Sequence, residues 1–191
     1  ARALALNPDY DLPVINMANA YRRLGRDAAA LAGYEHYLTL DPKNAHVHYQ
    51  IGEIYLDRDD VVRAEQSFRR ALEIDQRVAP ARNALGAIAV KRGDLATGER
   101  ETRAAIAIKA TVRLAHFNLG VIAEERGELA SAEAEYRKEL ELYPDGYRAA
   151  FNLSRIYEGQ NRINEQIAQL KQATTANPLF AEGYFYLAKA Y

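Results

Sequence analysis

Hydrophobic positions recur at spacings of three and four along most of the chain. Ile51, Ile54 and Tyr55 make one such stripe, and Phe68, Ala71 and Leu72 make the next. That spacing gathers them on one face of a helix. Short polar turns separate the stripes: Leu24-Gly25-Arg26, Arg58-Asp59-Asp60, Arg92-Gly93-Asp94, Arg126-Gly127-Glu128 and Gln160-Asn161-Arg162. Their central residue is always Gly, Asp or Asn, the types that tolerate the left-handed backbone found just past a helix end. The pattern predicts helix–turn–helix units joined in series.

The series has a fixed period. Pro8 and Pro42 stand 34 residues apart, as do Pro144 and Pro178, while Gln76 and Ala110 hold the two intervening places. Each proline closes a similar phrase, such as Leu38-Thr39-Leu40-Asp41-Pro42 or Leu140-Glu141-Leu142-Tyr143-Pro144, and a proline cannot continue a helical ladder. Small residues keep the same register in the first helix of each unit, at Ala18, Gly52, Gly86, Gly120, Ser154 and Ala188, and in the second at Ala30, Ala64, Gly98 and Ala132. They let two helix backbones approach closely.

These residues resemble the tetratricopeptide repeat family. The period, the Leu-Gly pairs Leu85-Gly86 and Leu119-Gly120, the tyrosines Tyr21, Tyr55 and Tyr157, the pairs Ala64 with Phe68 and Ala132 with Tyr136, and the closing prolines carry the resemblance. It covers the whole chain as one array: the end of a preceding repeat at 1–10, full repeats at 11–44, 45–78, 79–112, 113–146 and 147–180, and a partial repeat at 181–191. The implied fold is all-α, a right-handed superhelical solenoid of stacked antiparallel helix pairs. The family's first-helix Trp is replaced throughout, by Val14, His48, Arg82, His116, Ala150 and Tyr184. The third unit departs furthest, with Ala89, Gly98 and Thr102 at the Tyr, Ala and aromatic positions and no flanking proline. A helix-interior Gly costs about 1 kcal/mol against Ala, so a softer stretch from Gln76 to Ala110 is expected. Glu139 and Gln166 also stand at normally small sites.

Composition narrows the function. Of 191 residues, 49% are hydrophobic, and 25 basic against 26 acidic side chains leave a net charge of −1. That balance argues against non-specific nucleic-acid or membrane-surface binding, which needs a basic excess. No apolar run reaches the roughly 20 residues that a bilayer requires, which argues against membrane insertion. Without Cys, thiolate metal sites, disulfides and Cys nucleophiles are excluded, but the compartment stays open between cytoplasm and periplasm. No charged-then-apolar signal segment follows the first residue, Ala1, and the sequence reads as a piece of a longer protein.

Catalytic chemistry is not legible. His46 and His48 point to different helix faces and cannot share a metal alone. His48 and His116 fall at the family's Trp position and read as packed rings. No phosphate loop, nucleophile elbow or His-Glu zinc motif occurs. The reading is therefore no enzyme, no cofactor and no metal.

What remains is a surface. The resemblance implies that first helices line a concave groove, and helical spacing then turns Asn16, Asn19, Tyr49, Gln50, Glu53, Phe117, Asn118, Arg148, Phe151, Asn152 and Arg155 towards it. Two rows stand out. The amides Asn16, Gln50, Asn118 and Asn152 could pair with both N–H and C=O of an extended peptide, although Asn is also frequent at this site of ordinary repeats. The rings Tyr49, Phe117, Phe151 and Phe185 either face a partner or close the seam between helices. The Lys, Asn and Arg clamp with which some members of the family grip a chaperone's C-terminal carboxylate is not matched, because Ile15, Gln50, Pro80 and Ala84 occupy its places.

The function expected is a non-catalytic protein-interaction scaffold that binds an extended peptide or a partner helix in its groove. Bacterial repeats of this appearance often follow hydrolase or transferase domains, so the alternative is the non-catalytic tail of a larger enzyme. A further alternative is a structural self-association module. Leu4 and Leu6 at one end, and Tyr184, Phe185, Tyr186, Leu187 and Tyr191 at the other, leave head-to-tail stacking available.

Overall fold

The computed structural model describes residues 8–191, so Leu4 and Leu6 lie outside it. Eleven helices make up the described residues. The chain divides within the fifth helix into two units, residues 1–85 and 86–191.

The first unit holds α1 (Pro8–Arg23), α2 (Asp27–Leu40), α3 (Ala45–Asp57), α4 (Val61–Ile74) and the start of α5 (Ala79–Lys91). The second holds the rest of α5, then α6 (Leu95–Ile108), α7 (Ala115–Glu125), α8 (Leu129–Leu142), α9 (Tyr147–Gly159), α10 (Ile163–Ala176) and α11 (Ala181–Ala190). In the first unit α1 packs on α2 and α3 on α4. In the second, α7 packs on α8 and α9 on α10, while α6–α7, α8–α9 and α10–α11 contacts join successive pairs.

Two ladders of the sequence set this layout. The central turn residues Gly25, Asp59, Gly93, Gly127 and Asn161 all adopt positive φ, from 57° to 82°. Across each turn a backbone N–H reaches back five residues, as from Asp60 to the Tyr55 carbonyl and from Glu128 to that of Ala123, at 2.9 and 2.8 Å. This is the bond pattern that closes a helix with a left-handed residue. Asp60 and Asp94 then cap the following helices, accepting from the N–H groups of Arg63 and Thr97 at 3.0 Å, as short oxygen side chains do at that position.

The core follows the small-and-large alternation of the repeat. Tyr34, Phe68, Thr102, Tyr136 and Leu170 hold one second-helix position 34 residues apart and are all fully buried. Tyr34 belongs to a cluster with Ala18, Ala30 and Ile54 in the first unit. Tyr136 joins Ala132, Leu153 and Tyr157 in the second.

One start is displaced. Helices α3, α5, α9 and α11 begin 34 residues apart, but α7 begins at Ala115, two residues past the register. Its N-cap, Leu114, is left-handed at φ 65°, an unfavourable conformation for a branched side chain. The buried carboxylate of Glu139 holds this start, accepting from the N–H of Leu114 at 2.7 Å and that of Phe117 at 3.3 Å. A carboxylate on free N–H groups at a helix N-terminus is favourable in both hydrogen bonding and charge. Ala71, Ala105 and Ala173 hold the same place elsewhere, so Glu139 is a local answer to a local shift.

Candidate functional site

The first helices present two stretches of surface, one in each unit. In the first unit Asn16 is exposed, while Asn19, Tyr49, Gln50 and Glu53 are half-buried. Asn19 Oδ1 accepts from the Tyr34 hydroxyl at 2.6 Å. Gln50 Nε2 lies 3.1 Å from His46 Nε2. The Tyr49 ring tilts over Phe68 at 5.8 Å between centroids. Burial pushes the Glu53 carboxyl above its usual range, against a hydrogen bond from Tyr49 that lowers it. Arg22 on α1 pairs with Asp57 on α3.

In the second unit Phe117 and Asn152 are half-buried, Asn118 and Phe151 are buried, and Arg148 and Arg155 are exposed. Arg148 stands apart at the start of α9, its Nε 3.2 Å from the Tyr147 hydroxyl. A connected polar network joins three of the helices. The Tyr136 hydroxyl donates to Glu124 Oε2 at 2.7 Å, and Asn152 Nδ2 donates to the Tyr136 oxygen at 3.0 Å. Arg155 Nη1 lies 3.9 Å from Glu124 Oε1. An ionised carboxylate only accepts, so the phenol must donate to it and receive from the amide. This logic fixes the orientation of the Asn152 carboxamide. Lys189 on α11 likewise pairs with Glu158 on α9 at 3.0 Å, so charges that alternate in sign stitch successive first helices.

The aromatic row sits at the seams. Tyr49 meets Phe68 and Phe117 meets Tyr136, each nineteen residues on, both at 5.8 Å. Phe151 is enclosed by Phe180 and Tyr186 in edge-on contacts at 5.0 and 5.4 Å. Phe185 alone of the row is largely exposed, at 66%. Of the two histidines at the family's Trp position, His116 is buried with Nδ1 2.6 Å from Glu135 Oε2, and His48 is half-buried with Nε2 3.3 Å from the Pro42 carbonyl; His36 and His46 are exposed. Among the described residues no three His, Asp or Glu side chains gather as a metal set would, and no helix is long and apolar enough to cross a membrane.

Sequence reading missed two contributors to this surface. Tyr136 was legible as a core ring, but its hydroxyl's role in orienting Asn152 was not. Glu139, which holds the start of α7, signalled itself only as an acid in an alanine ladder.

The geometry defines a class of protein built from serial helix pairs with mixed polar and aromatic first-helix faces. A Tetratricopeptide repeat family model matches residues 15–79 and 83–147, and a second Tetratricopeptide repeat model matches 147–178. The chain belongs to the tetratricopeptide repeat family, whose members are protein-interaction scaffolds that bind protein partners and are typically non-catalytic. Comparison with curated proteins finds no match. Among solved structures it is similar to a chain of the APC/C hetero-tetramer Cut9–Hcn1, with a TM-score of 0.84 at 15% identity, over 96% of this chain and 37% of that one. The chain thus spans little more than a third of that relative's length. It is similar to PilW, a widely conserved type IV pilus biogenesis factor, with a TM-score of 0.77 at 25% identity, over 94% and 85% of the two chains. It is also similar to YrrB, described as a TPR protein with an unusual peptide-binding site, with a TM-score of 0.60 at 22% identity, over 94% and 93%.

Proposed function

We propose that this chain is a non-catalytic scaffold that holds an extended peptide or a partner helix against its first-helix faces, with five full repeats at 11–180 between partial ones. The observation that carries the reading is the orientation of Asn152. One amide N–H is committed to Tyr136, which leaves its carbonyl oxygen and second N–H for a peptide backbone. A preoriented carboxamide loses little freedom on binding, so its bonds count more fully towards affinity. Arg155, on the same helix and held only loosely by Glu124, supplies a charge, and exposed Phe185 on α11 supplies an apolar surface, residue types enriched at interfaces. YrrB, a solved structure of similar fold, is described as a TPR protein with an unusual peptide-binding site.

The test is selection of peptides from a displayed library on the full chain, followed by calorimetry with variants. Asn152→Ala is expected to weaken the selected peptide about fivefold, the worth of one hydrogen bond near 1 kcal/mol. Asn118→Ala with Asn152→Ala is expected to weaken it further while circular dichroism stays unchanged. Selected peptides that bind both variants as tightly as the parent chain would overturn the amide reading.

A further inference from the structure

Three residues of α9 stand at i, i+4 and i+7: Arg148, Asn152 and Arg155. That spacing sets them on one face of the helix, about 10 Å from end to end. The stripe reads cation, amide, cation. Both guanidinium side chains are exposed and the amide between them is half-buried. No other first helix from α3 onward repeats it, for the two outer places hold His46 and Glu53, Pro80 and Ala87, Leu114 and Val121, and Glu182 and Lys189.

Other exposed arginines of the second unit are held by carboxylates: Arg103 by Glu99 at 2.8 Å, Arg113 by Asp145 at 2.7 Å and Arg137 by Glu133 at 2.7 Å. Among the described residues Arg148 enters no ion pair. Its contacts are the Tyr147 hydroxyl, 3.2 Å from Nε, and the ring of that residue, 5.7 Å from Cζ. Arg155 reaches Glu124 only at 3.9 Å, well beyond the roughly 2.8 Å of a charge-assisted hydrogen bond. The acids on this side are already engaged, since Glu124 accepts from the Tyr136 hydroxyl at 2.7 Å and Glu158 pairs with Lys189 at 3.0 Å. A carboxylate arriving from outside therefore breaks no pair at Arg148 and only a long one at Arg155.

We infer that α9 recognises an acidic stretch of an extended partner peptide, with one carboxylate on Arg148, a second on Arg155 and the backbone between them on Asn152. The planar fork of a guanidinium matches a carboxylate in shape as well as charge. An extended chain in the polyproline II form brings side chains i and i+3 to one side, about 9 Å apart, close to the span of the stripe. The partner chemistry is thus two Asp or Glu residues three apart. This inference rests on the peptide reading above and adds the charge and spacing of the ligand to it.

The probe is the peptide N-acetyl-Gly-Glu-Ala-Pro-Glu-Gly-amide, titrated into the full chain and followed by amide NMR, beside the same peptide with Gln or Lys for both Glu. Saturable shifts are expected at Arg148, Asn152 and Arg155 with the Glu peptide, and the other two are expected to bind about tenfold more weakly. Arg148→Gln and Arg155→Gln are each expected to weaken the Glu peptide about threefold, and together about tenfold, as exposed ion pairs do. Circular dichroism of both variants should match the parent chain. Raising sodium chloride from about 0.05 to about 0.5 M should weaken the Glu peptide and leave the Gln peptide unchanged. Equal binding of the Glu and Gln peptides, or undiminished binding to the double variant, would overturn the inference. Peptides selected on the chain that depend on Asn152 but carry no paired acids would also overturn it, and would leave the peptide reading standing. A Glu peptide that depends on both arginines but not on Asn152 would sustain the acid recognition and overturn the amide reading.

Discussion

Two helix pairs of the second unit close the same seam by different means. Where α7 meets α8, Gly120 seats the ring of Tyr136: a methyl built on Gly120 would lie 2.6 Å from the ring's Cδ1. That ring is fully buried, and its hydroxyl is held by Glu124 and Asn152. Where the end of α5 meets α6, Thr102 stands in place of the ring. There the backbones themselves close the gap, for a methyl on Gly86 would lie 3.0 Å from the Gly98 carbonyl oxygen, and one on Gly98 3.2 Å from that of Gly86. One glycine ladder thus serves two kinds of packing, ring-in-socket and backbone-on-backbone. A small residue is required in both, but the atom it makes room for differs.

The largest expected effect separates the two seams. Gly120→Ala forces its methyl into a ring that cannot retreat without losing its hydroxyl bonds; overpacking of that kind costs about 3 kcal/mol, which the roughly 1 kcal/mol of helix propensity that Ala gains over Gly reduces to about 2 kcal/mol. Gly98→Ala meets the Val90 side chain and the Gly86 carbonyl, but it gains about 1 kcal/mol of helix propensity. Its net cost should therefore be about 1 kcal/mol. Urea unfolding of the two variants measures the difference. Equal costs would mean that the seams are alike and that the comparison fails.

The second effect is alkaline. Burial, reinforced by the bond to Glu124, raises the Tyr136 phenol above its ordinary value. The fold thus prefers the neutral form. The stabilisation is complete below pH about 10, where an unfolded tyrosine is neutral, and is lost as pH rises beyond it, at about 1.4 kcal/mol per pH unit. Thr102 brings no such titration to the α5–α6 seam. Tyr136→Phe should cost about 1 kcal/mol at neutral pH through the lost bonds, yet show an alkaline slope smaller by one proton's worth. Half-buried Tyr49 in the first unit, raised by the same cause, keeps a residual slope in both chains. Identical slopes in the parent and the variant would show that Tyr136 ionises as freely in the fold as outside it.

The period made most of the fold legible, because every repeat states the same rule again. The left-handed turn residues Asp59 and Asn161 could be placed by register alone, and the structure holds them at φ 57°. Features that depend on two places at once were not legible. Gly98 reads as a weak point until Gly86 is seen against it. Glu139 reads as a misplaced acid until the start of α7, 25 residues earlier, is seen to need a cap. The candidate surface was legible in position but not in state. Asn152 and Asn118 look alike in the row, yet one is half-buried with a defined orientation and the other is buried. Exposure depends on neighbouring helices, and no local spacing reports it.

The smallest expected effect has the opposite sign. Thr102 is fully buried, and its hydroxyl has no hydrogen-bond partner among the described residues. It is pressed towards the Gly86 backbone, where a methyl would lie 2.5 Å from Oγ1. A buried hydroxyl without a partner keeps its desolvation cost and gains nothing in return. Thr102→Val replaces the oxygen by a methyl of similar shape, and should stabilise the chain by about 1 kcal/mol. The urea midpoint should rise with the slope of the transition unchanged, since the same surface is exposed on unfolding. Thr102→Ser, which keeps the hydroxyl and removes the methyl, should fall by a similar amount, because a buried methyl is worth about 0.8 kcal/mol. A Val variant less stable than the parent would show that the hydroxyl is satisfied by a water, and that the backbone seam at Gly86 and Gly98 is wet where the ring seam at Gly120 and Tyr136 is dry.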